Sequence, residues 1–448
     1  MTQDTLLTDH GLFTARAPRY TSYPTAPHFS KTVDGAQVAT WLSSIPDGAQ
    51  ISLYVHIPFC RRLCRFCACR TQGTQTDAPL RPYLDRLKRE VAMVAAKIGG
   101  PVSLSRLHWG GGTPTILPAE MIRELAETIF AHFPLAAGGE FSVEIDPTMI
   151  DAERLDALAA GGMTRVSLGV QDFAPKVQEA IGRPQTREQT RDTIDGLRAR
   201  GITGVNLDLL YGLPFQTGIT LTETLQAALA LNPDRLALYG YAHVPWVARR
   251  QVTIPSDALP DGRARLDLFR IAARLLAADG YVPIGIDHFA QPGDGLAQAA
   301  KAGALRRNFQ GYTDDQADVL IGLGASSISR FPQGYAQNDA GTSGWGRMVD
   351  AGDLPITRGH SFSDDDRLRA ALIERILCDF RVNGRDVAAA LGQDPAPAQA
   401  LLSALAQRWP DVLIGGATKR LVVPELARLV AQDLDAYAQD GARHSMAL

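Results

Sequence analysis

Four of the five cysteines in this 448-residue chain fall within ten positions, Cys60-Arg-Arg-Leu-Cys64-Arg-Phe-Cys67-Ala-Cys69. Thiols packed this closely in sequence can bind metal, and two metal chemistries compete for them. Structural zinc sites gather four ligands as paired knuckles across a longer spacer, whereas here all four lie in one run and the last two are one residue apart. Iron–sulfur clusters take cysteine thiolates, and three of them spaced x3 then x2 can wrap one four-iron cube while leaving one iron without a protein ligand. That iron is free to bind a substrate or cofactor. The fifth cysteine, Cys378, sits in the helical pattern Leu368, Leu372, Ile376, Phe380 and reads as a small buried hydrophobe.

The cysteine run directly follows the strand-like Ile51–Ile57, and from there strand and helix patterns alternate. Expected strands are Ile51–Ile57, Arg106–Trp109, Phe141–Ile145, Arg165–Val170, Gly204–Tyr211 and Arg235–Tyr241. Amphipathic helices are expected near 80–94, 118–132, 151–160, 186–200 and 219–231. Six consecutive strand–helix units imply an α/β fold with a parallel sheet, doubly wound or curled into a partial barrel. In either form the functional rim lies at the C-terminal strand ends. The unusual stretches fall there: the cysteine loop, Gly110-Gly-Gly-Thr-Pro114, Glu144-Ile-Asp-Pro147, Gln171-Asp172 and Asp208–Pro214.

A helix near 257–279 and a strand near Tyr281–Ile286 follow, then a glycine-rich stretch with Arg307-Asn-Phe-Gln-Gly-Tyr312 and Ile321–Arg330. Residues 351–448 read as a small, mostly helical, winged-helix-like domain, with helices near 364–380, 385–391 and 397–409, a hairpin Val412–Val423 and a last helix to about Tyr437. Acidic residues slightly outnumber basic ones there, so no nucleic-acid partner is expected. Residues 1–48 contain Arg19-Tyr-Thr-Ser-Tyr-Pro-Thr-Ala26, and the alternatives are a disordered leader or an extension docking near the active site. The remainder, 49–350, is the catalytic domain. A net charge of −3, with 45% hydrophobic and 21% charged residues, is that of an ordinary soluble globular protein. No signal peptide or spanning helix is expected, and the reading is a cytoplasmic monomer without membrane insertion.

The spacing Cys60-x3-Cys64-x2-Cys67, with Phe66 before the last cysteine, resembles the radical S-adenosylmethionine (SAM) superfamily, and Gly110–Pro114 is similar to its glycine-rich segment. A closer resemblance is carried by Arg19–Ala26, Tyr54-Val-His-Ile-Pro-Phe-Cys60, Cys69, Asn308–Tyr312 and Tyr335-Ala-Gln-Asn338. Together they resemble the oxygen-independent coproporphyrinogen III oxidases. That resemblance implies a partial (βα)6 TIM-like barrel, one 4Fe-4S cluster on Cys60, Cys64 and Cys67, and two SAM molecules. Tyr54, Gly111, Glu144 and Ile328 would line the SAM on the cluster, with Glu144 accepting from ribose hydroxyls. Phe66, Gly112, Thr113, Gln171, Arg183, Asp208 and Ala242 would line the second. Ile328 could instead be plain core and Arg183 a surface turn. Tyr54 and the non-ligating Cys69 complete the catalytic set.

The implied reaction converts two propionates of coproporphyrinogen III to vinyl groups, giving protoporphyrinogen IX, and uses an unidentified electron donor and electron acceptor. The substrate's carboxylates call for guanidinium partners among Arg249, Arg250, Arg306, Arg307 and Arg330. The alternative is a haem-binding chaperone of the same superfamily. Those relatives lack the fourth cysteine and carry His-Asn-x-x-Tyr-Trp where this chain has Arg307–Tyr312.

Overall fold

The computed structural model describes residues 2–438 and 444–447. Strands β1 (Gln50–Ile57), β2 (Ser103–Gly111), β3 (Leu135–Ile145), β4 (Arg165–Gln171), β5 (Gly204–Tyr211) and β6 (Arg235–Gly240) run parallel in that order. Beyond β6 lie the antiparallel pair β7 (Val282–Ile284) and β8 (His288–Ala290). On the far side of β1 follow β9 (Leu320–Leu323), β10 (Ile328–Phe331), β11 (Gly334–Asn338) and β12 (Ile356–Ser361). The twelve strands form one sheet whose two ends do not pair, a partial TIM-like barrel.

The expected helices form between the strands: α1 (Leu80–Ala95), α2 (Ala119–His132), α3 (Ala152–Ala160), α4 (Arg187–Arg198), α5 (Gly218–Leu229) and α6 (Gly262–Ala278). Short polar caps start several of them. Asp151 accepts from the Arg154 N–H, and Thr186 forms a reciprocal box with Gln189. Their apolar faces cover the outward residues of the sheet, including Leu53, Val55, Leu107, Trp109, Phe141, Val143, Val166 and Leu207, all buried in one core.

The inward residues are polar, so the barrel is not filled by a second apolar core. At the N-terminal strand ends they form an ion-paired floor. Arg165 bonds Glu140 at 2.7 Å and Asp294 at 3.3 Å, Arg235 bonds Asp294 at 2.6 Å, and Arg106 bonds Asp314 at 2.9 Å. The opposite mouth stays open.

Three stretches differ from the sequence expectation. The main sheet continues past residue 350, because β12 pairs with β11. The strand expected at Tyr281–Ile286 is only Val282–Ile284 and turns back on β8. The last helix is Ala427–Gln432 and ends where i→i+3 bonds from the Leu434 and Asp435 N–H groups tighten the chain into turns.

The C-terminal unit has helix α7 (Asp364–Asp379), helices Gly384–Ala390 and Pro395–Arg408, and a small sheet in which Thr418–Leu421 lies between Arg381–Asn383 and Leu413–Ile414. The N-terminal segment is ordered over its described residues. Leu7, Leu12, Ala17, Tyr20 and Tyr23 are buried in the C-terminal core, whereas Val33, Val38 and Trp41 pack on the barrel core. The segment therefore straps one unit to the other. Buried Arg428 holds the strap, donating to the carbonyls of Ala17, Pro18 and Ala447. Cys378 is buried. No described helix is long and apolar enough to cross a membrane.

Buried Glu90 on α1 is the pin behind β9. It accepts from the Gly324 N–H (2.8 Å), Asn338 Nδ2 (2.6 Å) and Trp345 Nε1 (2.9 Å). Burial outweighs these bonds and pushes its carboxyl up from 4.5 to about 7. The folded chain then keeps a proton that the unfolded chain releases. This contribution is fully present below about pH 4.5 and is lost as pH rises through about 7. Urea melts across that window should show the wild type losing stability relative to Glu90→Gln. Glu90→Ala, which strands three donors at about 1–3 kcal/mol each, should lower the melting midpoint at every pH.

Candidate active site

Strand alternation places Ser142 and Glu144 of β3, Ser167 and Gly169 of β4, and Asn206 and Asp208 of β5 on the inner wall of one cavity of about 360 Å³. Its upper rim is the loop carrying Cys60, Cys64, Phe66, Cys67 and Cys69 together with Gly111, Gly112 and Thr113 after β2. Gln171 and Arg183 also line it. Tyr54, Ala242 and Ile328 do not, but two of them are one contact away. The Tyr54 ring stacks on His108, and Ala242 shares a bridging side chain with Phe66. Ile328 lies on β10, its backbone against Gly322, which is the sheet partner of Tyr54.

Each of the first three thiols meets a donor. Thr113 Oγ1 lies 3.7 Å from Cys60 Sγ, Arg183 Nη1 lies 3.5 Å from Cys64 Sγ, and the Cys69 N–H lies 3.4 Å from Cys67 Sγ. Cys69 donation, with Arg250 and Arg183 nearby, brings the Cys67 thiol down to about 6 despite burial, whereas burial pushes Cys60 up to about 11. Gly112 is required by space: a Cβ there would come 2.6 Å from the Phe59 carbonyl oxygen and 3.0 Å from Cys60 Sγ. Three thiols around a shared cavity, each with a donor and with glycine cleared opposite, fit an iron–sulfur cluster held by three thiolates.

The carboxylates have distinct surroundings. Glu144 lies deep in the cavity, which pushes its carboxyl up, but His108 Nε2 at 3.3 Å and the Gly111 N–H at 3.2 Å bring it below the ordinary value. His108 Nδ1 is fixed by Ser142 Oγ at 2.6 Å. Tyr54 Oη meets His56 Nδ1 at 2.9 Å, and His56 Nε2 reaches the Arg70 carbonyl at 3.1 Å, which links β1 to the end of the cysteine loop. Asp208 is pushed up to about 6 by burial, although it accepts from Ser167 Oγ and Asn206 Nδ2.

Arg183 and Gln171 have unusual settings. Arg183 is buried, not a surface turn: besides Cys64 it bonds the Gly169 carbonyl at 2.9 Å and Asp146 at 3.3 Å. Gln171 has φ +67°, a left-handed conformation that costs a non-glycine residue on the order of 1–3 kcal/mol. Buried Asp172 holds the turn in place by accepting from Gln216 Nε2 (2.7 Å), Thr224 Oγ1 (2.9 Å) and the Ala174 N–H (2.6 Å).

Sequence reasoning missed Gln251, fully buried, whose Nε2 donates to the Phe66 carbonyl at 2.6 Å and the Ala242 carbonyl at 3.1 Å. Nothing in Arg249-Arg-Gln-Val singles it out. His56 and His108 had a signal, being polar residues two positions from other inward-facing groups on strands. Of the five candidate arginines, Arg250 lines the cavity and bonds Thr71 Oγ1 at 2.9 Å, while Arg249 is exposed.

Residues 54–228 match the profile of the radical SAM superfamily. The chain is 53% identical to an oxygen-independent coproporphyrinogen III oxidase of Paracoccus denitrificans, covering all of both chains. It is 52% identical to one from Cereibacter sphaeroides over 96% of each. The chain belongs to the oxygen-independent coproporphyrinogen III oxidase family. A solved structure agrees: the coproporphyrinogen III oxidase of Escherichia coli, described as a radical SAM enzyme, superposes with a TM-score of 0.88 at 36% identity, covering 94% of this chain and 97% of that one. Membership of the radical SAM superfamily implies its cofactors, a 4Fe-4S cluster and SAM.

Gly112→Ala tests the clearance around Cys60. Overpacking of about 1–3 kcal/mol should lower iron retained after anaerobic reconstitution at limiting iron by roughly tenfold, with secondary structure unchanged by circular dichroism.

Proposed function

We propose that this chain performs the anaerobic oxidative decarboxylation of two propionates of coproporphyrinogen III, giving protoporphyrinogen IX in haem biosynthesis. The supporting observation is that Cys60, Cys64 and Cys67, the glycine segment and the strand-end carboxylates line one cavity in a chain that matches coproporphyrinogen III oxidases along its length. When bound, the cluster and SAM would supply radical chemistry able to take a hydrogen atom from a propionate β-carbon, an unactivated C–H bond that side-chain acids and bases cannot break.

The protein's part is to bind, orient and shield. Cys60, Cys64 and Cys67 hold the cluster as thiolates. Tyr54, Gly111, Glu144 and Ile328 serve the SAM on the cluster; Glu144, kept ionised by His108, suits hydroxyl donors. Phe66, Gly112, Thr113, Gln171, Arg183, Asp208 and Ala242 serve a second SAM. Gln251 ties the loops of Phe66 and Ala242 together, and the ion-paired floor closes the cavity's far end to water. One electron enters and one leaves per decarboxylation, so an electron donor and an acceptor are needed as partners. Cys69 orients Cys67 through its N–H and takes part in turnover without ligating iron.

Anaerobic incubation with a reductant, SAM and coproporphyrinogen III should yield protoporphyrin fluorescence after oxidation. Haem binding without decarboxylation under the same conditions overturns the reading in favour of the chaperone. Cys69→Ser should retain its iron while decarboxylation falls on the order of tenfold or more; unchanged activity removes Cys69 from turnover.

A further inference from the structure

A second chamber, of about 860 Å³, lies between the N-terminal strap at Tyr20–Tyr23, the β10 end at Arg330–Phe331 and helix α7. A neck of about 20 Å³ shares Arg306, Arg307 and Arg330 with this chamber, and Asn308, Thr313 and Asp315 with the cluster cavity. The two spaces therefore meet at the hairpin formed by Arg306–Asn308 and Gly311–Thr313.

Three arginines line the neck against one acid, Asp315, which is held by the Ser52 and Ser105 hydroxyls, and Asp287, which acts on Arg307, is bonded to His288. Arg307 Nη2 donates to the Arg19 carbonyl at 3.1 Å and its guanidinium lies 4.5 Å from the Tyr312 ring centroid, but Nε and Nη1 are shut from solvent without a hydrogen-bond partner. Arg330 has no hydrogen bond or ion pair to a described residue. Arg306 Nη1 donates to the Gln316 carbonyl at 3.1 Å, and the acid it meets is the exposed Asp318, at 3.5 Å. Of the acids deeper in the chamber, Glu374 accepts from the Arg307 N–H at 2.9 Å, Asp379 pairs with Arg375 at 2.8 Å and Asp366 is held by Ser363 and Tyr437, while Asp386 lies on the far wall. A half-satisfied buried guanidinium is costly, and the cost is offset when an anion arrives. The same chamber offers aromatic wall at Tyr20, Tyr23, Phe331, Tyr335 and Phe362. Its size lies within the usual range for a bound small molecule.

We propose that this chamber receives the tetrapyrrole macrocycle, with Arg307 and Arg330, flanked by Arg306, gripping propionate carboxylates while a reacting propionate enters the cluster cavity through the neck. The proposal rests on the functional reading above, and it selects three of the five candidate arginines over Arg249 and Arg250. The hairpin is then a shared wall, with its arginines toward the macrocycle and Asn308 toward the cofactor side.

The test uses anaerobically reconstituted full-length enzyme, the variants Arg307→Gln, Arg330→Gln and their double, and Arg307→Lys. Coproporphyrin III, the stable oxidised tetracarboxylate, is titrated by fluorescence, and KM and kcat are measured with coproporphyrinogen III. Each glutamine variant should weaken coproporphyrin binding and raise KM about tenfold, the lysine variant should recover part of the loss, and thermal midpoints should stay near wild type. Wild-type-like binding by the double variant, with the wild type turning over, overturns the chamber alone. A wild type that cleaves SAM yet neither binds coproporphyrin III nor decarboxylates its reduced form overturns the functional reading and this proposal with it.

Discussion

Every second residue of six parallel strands must face the inside of a barrel, and in this chain those residues are mostly polar. The structure depends on how that interior is closed without being filled. The outward set supplies the stability: Leu, Val, Phe and Trp side chains pack under the helices, at about 1.5–3 kcal/mol for each large side chain buried. The inward set supplies position. Arg106, Glu140, Arg165, Arg235, Asp294 and Asp314 form a floor whose desolvation consumes most of its Coulombic gain, so its effect is to seal one end rather than to add stability. With one end sealed, the cysteine loop and the strand-end carboxylates share the space at the other.

That division explains why the loops at the mouth need pins of their own. A backbone that leaves a strand end has few neighbours, and here buried polar side chains supply them. Gln251 joins two loops through their carbonyls, Arg183 ties the cysteine loop to β4, and Asp172 holds Gln171 in its left-handed turn. Each pin is satisfied on several sides, which makes it rigid and expensive to remove. Arg307 in the neck is the opposite case, with two donors shut from solvent and left over.

Much of this was legible from the chain. β5 begins and ends at Gly204 and Tyr211, as the pattern of apolar residues bounded by glycine predicts; β1 to β4 extend their expected cores, and β6 stops one residue short, at Gly240. The cysteine run and the glycine segment face one cavity because both follow C-terminal strand ends, which is a topological certainty once the sheet is parallel. Arg183 was ambiguous because an arginine beside a proline carries no local sign of burial; its partners Asp146 and Gly169 are brought to it only by the fold. Gln251 is silent for the same reason. No strand is expected at β12 because Ile356-Thr-Arg-Gly-His-Ser alternates weakly, and its place is set by pairing with β11 rather than by its own pattern.

The strap has a consequence for how the enzyme is made. Leu7 to Tyr23 are made long before residues 368–434, which supply most of the core that buries them, and the bond from Arg428 to the Pro18 carbonyl spans 410 positions. At ordinary elongation rates that gap is on the order of tens of seconds. Throughout it the barrel, with its cysteine loop, is already synthesised, while the side that the strap and the C-terminal unit will cover remains uncovered. The strap is therefore seated, and that side of the barrel covered, only once residues 368–434 have been made.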